Sequence, residues 1–508
     1  MTIKELSNSI GLPLTAETVI VDREAFARYA TRTVEAGAPL AFMYATDERS
    51  KYVVSAVFGL KGSGFLTLRT ELDREDPTYP SLTATIMAAH WFERLIHDQF
   101  GIVALGHPDW RRLMHHENIP AGTYPLRKEF AWNAKLAHAN EEYPMHHVAG
   151  QGIYEIPVGP IHAGIIEPGH FRFNVRGERI ITLEGKLFFT HKGVEKLLEG
   201  KMPEEAMPFI ERISGDMVVG HTLAYVQAVE RATGTSISLR AEGLRVLWSE
   251  LERISAHIFD MGNMGGNGTG FTFMAAQGFR LVEEMRRMYQ TLLGHRFLRG
   301  AITLAGAHDI TDADSKLILD TLLRIEREME EVIKVALNTD GLKERFETTG
   351  VLSKIAAEAY GARGIPARAS GVLTDMRQDH PYAAYQVHAP RMISKADGDV
   401  AARFAVRIEE FRESLSLIRA VLASLPKGSA QGKLTKQSGE ALGWAESFRG
   451  AVIDFVRIDW TGAIERCAIS DPSFSNWALF GEIGPGNIVP DFPLCNKSLN
   501  LSYSGNDL

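Results

Sequence analysis

The stretch from Phe209 to Glu230, FIERISGDMVVGHTLAYVQAVE, constrains the rest of the chain most. Ile210, Ile213, Met217, Gly220 and Ala224 recur at steps of three and four, the spacing of one apolar helical face. The pattern predicts a single buried helix around which the other elements must pack. Ser214, Met217 and His221 fall at i, i+3 and i+7, so their side chains would converge on one point. Arg212 and Asp216 form an i,i+4 pair of opposite charge, one turn apart.

At 508 residues, 45% apolar and 23% charged, the chain has material for several domains and an ample core. A net charge of −8 argues against nucleic-acid binding. Only Cys467 and Cys495 are present. Two cysteines exclude a disulfide framework, or an iron–sulfur cluster held by this chain's own thiolates, and fit a reducing cytoplasm. The start MTIKELSNSIGLPL has no apolar core of signal-peptide type, and no apolar run is long enough to span a bilayer. Work at a membrane would therefore go through other subunits.

Residues 1–128 read as a small α+β domain. Apolar runs at Pro39–Ala45, Tyr52–Leu60 and Phe65–Leu72 are separated by Asp47-Glu48 and Gly62-Ser63-Gly64, as successive strands would be. A helix is expected from about Thr85 to Phe100, with Trp91, Leu95 and Ile96 on its buried side. Residues 129–150 read as a connector. The paired histidines His115-His116 and His146-His147 suggest a metal, but adjacent side chains diverge and no third ligand is evident.

Residues 151–508 open with a strand at Tyr154–Val158. Phe171, Phe173 and Val175 then alternate with polar residues, turn at Arg176-Gly177-Glu178 and return through Ile180–Leu183, a β-hairpin. Mostly helices follow. Leu244, Leu247, Leu251, Ile254, Ile258 and Met261 mark one, with Glu250, Arg253 and His257 as a polar stripe best read as ion-paired within a bundle. Gly265–Gly270 lacks a surrounding βαβ unit, so it is read as a loop and not a nucleotide fingerprint. Further helices are expected at Phe279–Leu293, Ser315–Leu337 and Val400–Leu425. The last carries a regular stripe from Phe404 to Leu425 that core packing explains. The fold class is α+β.

Glu93-Arg94, Asp98, Gly101-Ile102, Gly106-His107-Pro108-Asp109, Arg111-Arg112 and Tyr124–Lys128 resemble the signature of the thirty-kilodalton subunit of respiratory complex I. Farther on, Ala367–Gly371, Asp375-Met376-Arg377, Pro381–Tyr385 and Gly398-Asp399 resemble a motif of complex I's forty-nine-kilodalton subunit and of membrane-bound NiFe hydrogenases. In those hydrogenases the central helix carries Arg-Ile-Cys-Gly-x-Cys and a later His. Here the frame reads Arg212-Ile213-Ser214-Gly215-Asp216-Met217, with His221 in place. The second cysteine pair, Asp-Pro-Cys-x-x-Cys, reads Asp471-Pro472-Ser473-Phe474-Ser475-Asn476.

The resemblance implies a fused large subunit of a complex-I-like assembly related to energy-converting hydrogenases, with the hairpin as one wall of its cavity. It implies that Ser214, Met217, Arg368, Asp375, Arg377, Ser473 and Asn476 line that cavity, while the loss of all four thiolates leads to the expectation that no nickel or iron is bound. Iron–sulfur clusters would sit in a partner subunit, with antiporter-like membrane subunits beyond, and this chain would lie peripherally on the inner face of the membrane. The family's quinone-reducing branch places a tyrosine where Gly215 stands. His162 matches that branch, but Glu167-Pro168-Gly169-His170 follows the hydrogenase spelling. Glu167 stands where the hydrogenases keep a gating glutamate. It could form a proton relay with His162, His170, Asp216 and His221, or the five could satisfy one another as a buried polar network. A quinone reductase with a rebuilt pocket and a scaffold without chemistry stay open as alternatives.

Overall fold

The computed structural model describes residues 2–12, 16–164 and 166–508. The N-terminal part is built on a four-stranded sheet of β1 (Thr18–Ile20), β2 (Leu40–Asp47), β3 (Lys51–Leu60) and β4 (Gly64–Asp73), in the order β1-β4-β3-β2. β1 runs parallel to β4 and the remaining pairs are antiparallel. The helix α1 (His90–Phe100) packs on β2, and its start lies a few residues after the expected one because a short 3-10 turn precedes it. Its acidic residues are structural. The Asp98 carboxylate accepts the backbone N–H groups of Leu113, Met114 and His115 at 2.9, 2.7 and 3.2 Å. Glu93 does the same for the 81–83 turn, through Ser81 Oγ and Leu82 N at 2.6 and 2.8 Å. Both fix loops whose buried polar groups would otherwise lack partners.

The paired histidines go to separate partners. His116 Nε2 meets the Leu187 carbonyl at 2.7 Å, and His147 Nδ1 meets Glu155 at 2.6 Å.

The second part opens with β5 (Ile153–Val158), β6 (His170–Arg176) and β7 (Arg179–Lys186), an antiparallel sheet that contains the expected hairpin. The central stretch is not one helix. α2 (Pro203–Ile210) ends, Glu211–Met217 turns, and α3 (Val218–Ala232) begins anew. Ile213 and Met217 remain fully buried across the turn, so the apolar spacing persists where the hydrogen-bonded helix does not. The new start is made possible from outside. The Glu252 carboxylate accepts Val219 N and Gly220 N at 2.7 and 3.0 Å, taking two of the N–H groups that a helix N-terminus leaves unpaired. The turn also undoes the Arg212–Asp216 pair, since Asp216 bonds to Arg449 and Arg212 to the Pro208 carbonyl.

The long helix α4 (Leu239–Thr269) runs antiparallel against α5 (Thr272–Leu293) and packs on α7 (Val400–Ser424); α6 (Asp312–Leu337) lies between them in sequence and packs on α5. The glycine run expected as a loop is the last turns of α4. A Cβ on Gly266 would lie 2.2 Å from the Ala275 Cβ, and one on Gly278 would lie 2.9 Å from the Gly262 Cα. The glycines therefore let α4 and α5 touch backbone to backbone, which offsets their poor helix propensity.

A second three-stranded sheet, β8 (Gly439–Glu446), β9 (Ala451–Ile458) and β10 (Ile464–Ser470), was not foreseen among the helices. It carries the N-terminal part. Tyr44 stacks on Phe455 with ring centroids 4.4 Å apart, and Arg457 bridges Glu48 at 2.7 Å. The chain closes with α8 (Phe492–Leu499) and α9 (Tyr503–Asp507).

Candidate functional site

The turn that interrupts the central stretch opens on a cleft of about 910 Å³. Its walls are Ala163, Gly164, Ile166 and Glu167, the Ser214–Asp216 turn, one face each of α4 and α5, and the segment from Asn496 to Ser504. A smaller pocket of about 90 Å³ shares Gly215, Asp216, Phe259 and Arg286 with it and reaches inward to Glu252.

Two of the five relay candidates line this cleft, Glu167 and Asp216. Glu167 is half-buried and accepts the Ser504 N–H at 3.2 Å. Burial pushes its carboxyl above the usual range, only partly offset by that bond and by Lys192. Asp216 goes the other way. Desolvation works against its charge, but the Arg449 guanidinium at 2.7 and 2.8 Å outweighs it and holds the carboxyl below the usual range. His162 sits behind the wall, with Nε2 at 3.3 Å from the Tyr503 hydroxyl. His170 is held to the Gly159 carbonyl at 3.3 Å, and burial lowers its pKa. His221 is fully buried on Asp471 at 2.9 Å, away from the cleft. The five do not form one hydrogen-bonded chain.

The residues expected to line the cavity divide similarly. Ser214 does so. Arg368, Asp375 and Arg377 instead belong to a buried ionic network: Arg368 bridges Glu410 and Glu446, both at 2.8 Å, and Arg377 bridges Asp375 and Glu250 at 2.6 and 3.0 Å. Arg253 and His257 of the polar stripe join it through Glu250 and Glu410 at 3.3 and 2.9 Å. Buried charges of this kind are tolerated because every one is paired, which is why the motif sits in the bundle core and not at the cleft. Met217, Ser473 and Asn476 lie beneath the cleft floor, all fully buried.

The C-terminal segment makes that floor. Ser502 Oγ lies 3.0 Å from Ser214 Oγ, and Ser502 N donates to Ser473 Oγ at 3.0 Å. Asn476 is tied at both ends to the Arg363 backbone, at 2.9 and 3.1 Å. Asp507 anchors the segment by accepting Phe188 N, Thr190 N and Thr190 Oγ at 2.9, 2.9 and 2.7 Å.

Sequence patterning missed Glu252, Arg449, Arg286, Lys497 and Asn263. Glu252 is two residues after Glu250, so it leaves the polar stripe and points at α3. It is 4% exposed, forms no ion pair among the described residues, and burial pushes its carboxyl up to about 8 against the two backbone N–H bonds it accepts.

Three family descriptions cover most of the chain. Residues 19–135 match "Respiratory-chain NADH dehydrogenase, 30 Kd subunit", residues 192–261 match "Nickel-dependent hydrogenase", and residues 268–436 match "Respiratory-chain NADH dehydrogenase, 49 Kd subunit". Formate hydrogenlyase subunit 5 of Escherichia coli (strain K12) is 32% identical over 486 residues, 93% of this chain and 85% of that protein. The chain belongs to the complex I and membrane-bound hydrogenase large-subunit family. Within the family, Hydrogenase-4 component G of the same strain is 29% identical, covering 92% of this chain and 83% of that protein. A chain of the "membrane-bound sulfane sulfur reductase (MBS), an archaeal respiratory membrane complex" superposes with a TM-score of 0.67 at 23% identity. It covers 71% of this chain and 100% of that one, a likeness of fold. The thirty-kilodalton match extends well before the residues whose wording suggested it.

Proposed function

We propose that this complex-I-like subunit is the large hydrophilic subunit of a membrane-associated assembly and works without a nickel–iron centre of its own. The observation that carries the reading is the floor of the cleft. At the four positions where the hydrogenases keep thiolates stand two hydroxyls, a thioether and an amide. This donor set does not fit a soft, thiolate-bridged metal pair. Both hydroxyls and the amide are also already engaged by Ser502 and by the Arg363 backbone.

The role assigned is to couple electron transfer, or a conformational change, to proton or other ion movement by membrane subunits. Iron–sulfur clusters would belong to a small partner subunit. No helix among the described residues is long and apolar enough to cross a membrane, which supports attachment through antiporter-like partners. Quinone reduction is less well supported, because Gly215 offers no side chain where that branch places its tyrosine.

The test is purification of the tagged chain from its native membranes. Iron–sulfur and polytopic membrane subunits should accompany it, with nickel far below one atom per large subunit. One nickel per chain would overturn the reading, and so would a chain that purifies from its membranes without partner subunits.

A further inference from the structure

The cleft runs against the charge of the chain that forms it. The whole sequence carries −8, yet the cleft is lined by three cations, Arg286, Arg449 and Lys497, against two carboxyls, Glu167 and Asp216. Arg449 and Asp216 neutralise each other in a bidentate pair. Arg286 and Lys497 make no hydrogen bond or ion pair among the described residues, and Glu167 is shifted toward its neutral form. The carboxylate felt by Lys497 is Asp260, which is itself held by Arg407 at 3.0 Å and by Asn500 at 2.5 Å. Arg286 lies over the Phe297 ring, 5.1 Å from its centroid, and feels the carboxylates of Glu283, which is bonded to Arg296, and of Asp216, which is bonded to Arg449, without bonding to either. Two half-buried cations on one cavity, whose nearest carboxylates are each bonded to another group, leave donors free for an anion that enters.

The rest of the lining sorts by helical spacing. Phe259, Asn263 and Asn267 follow at steps of four along α4, and Phe279 and Arg286 stand two turns apart on α5, so each helix presents one face. Phe259 and Phe279 stack at 5.1 Å, with Phe279 still 37% exposed, and form an aromatic wall. Asn263 is 4% exposed and accepts from Asn267 Nδ2 at 2.6 Å, leaving its own amide N–H groups to donate. A cavity of this size, with an apolar wall and few converging donors, has the make-up of a small-molecule site.

We propose that the cleft binds an amphipathic small anion: an aromatic or aliphatic body on the Phe259–Phe279 wall and an acidic head group between Arg286 and Lys497. This names a ligand class for the site of the function proposed above. Because binding is measured on the isolated full chain, its outcome is separate from whether the assembly forms or lacks nickel.

The experiment is calorimetric titration with 2-naphthoate, 2-naphthyl phosphate and the neutral 2-naphthamide. The two anions should bind, the phosphate more tightly, and the amide about tenfold more weakly than the naphthoate, as expected for loss of charge-assisted hydrogen bonds. Lys497→Gln and Arg286→Gln should each weaken the anions about tenfold and leave the amide unchanged. Their melting temperatures should change little, since neither residue loses a hydrogen bond or ion pair and Arg286 loses only its contact with the Phe297 ring. Phe279→Ala should weaken all three probes. Equal binding of naphthoate and naphthamide, no binding of any probe, or anion affinities indifferent to both cation replacements would each overturn the proposal.

Discussion

Ser214 Oγ and Ser502 Oγ, 288 residues apart in sequence, lie 3.0 Å from each other at the floor of the cleft. One comes from the turn between α2 and α3, the other from the last few residues of the chain. The contact joins the turn that matches one metal-ligand segment of the hydrogenases to the C-terminal segment, which also bonds through Ser502 N to Ser473 of the other, making a hydrogen-bonded closure. The C-terminal segment is therefore part of the site, and its anchors should govern stability.

The first prediction concerns the main anchor. Asp507→Ala would strand the buried donors Phe188 N, Thr190 N and Thr190 Oγ. Each unpaired buried donor costs about 1–3 kcal/mol, so the variant should lose at least that much. Urea denaturation should show a lower midpoint with the same slope. A midpoint equal to wild type would mean the segment is not held by Asp507.

The second prediction sets two opposing effects of one substitution against each other. Gly266→Ala gains about 1 kcal/mol in helix propensity. The added methyl would lie 2.2 Å from the Ala275 Cβ and 3.1 Å from its Cα, so α5 must move away, an overpacking cost of about 1–3 kcal/mol. Net destabilisation is expected. Gly341→Ala, where nothing lies within 4 Å, is the control and should be neutral or stabilising. If both alanines stabilise alike, the α4–α5 contact is looser than described.

How much of this was legible follows from the range of the interactions. The strands between Leu40 and Asp73, the hairpin at Phe171–Leu183 and the Phe404–Leu425 stripe were readable, because alternation and helical spacing are local. The break before Val218 was not, since the carboxyl that permits it comes from Glu252. The glycines of α4 looked like a loop because the partner that suits them, Ala275, lies on the next helix. The Ala451–Ile458 strand carries a β-rich apolar signal, but a short apolar run among helices does not by spacing alone separate a strand from a buried helix. The cleft cations had no pattern at all. Arg286 and Lys497 meet only once α5 and α8 are placed, and no spacing connects them.

The third prediction uses Glu252. Its folded pKa, about 8, lies above the ordinary 4.5, so the folded chain keeps a proton that the unfolded chain releases. This contribution to stability is complete below about pH 4.5 and is lost as the pH rises toward 8, at about 1.4 kcal/mol per unit. Glu252→Gln removes the titration. Stability measured from pH 5 to 9 should therefore fall less steeply in the variant, by one proton's worth of slope. Parallel profiles would show that Glu252 is ionised in the folded protein.

The last prediction separates chemistry from structure at Glu167. Its carboxyl faces Asp216 and Asp507, which raise its pKa further, and Lys192, which lowers it. Glu167→Gln keeps an oxygen to accept the Ser504 N–H but cannot exchange a proton near neutrality. As the folded pKa is raised, the native carboxyl loses stability as the pH climbs past its unfolded value, and the glutamine does not. The variant should thus melt at or slightly above the wild-type temperature at neutral pH, assemble normally, and fail to support ion translocation by the complex. Were Glu167 only a hydrogen-bond acceptor for Ser504, activity per assembled complex would be unchanged. Melting and translocation measured on one preparation decide between the two, and a variant that translocates at the wild-type rate removes Glu167 from any proton path.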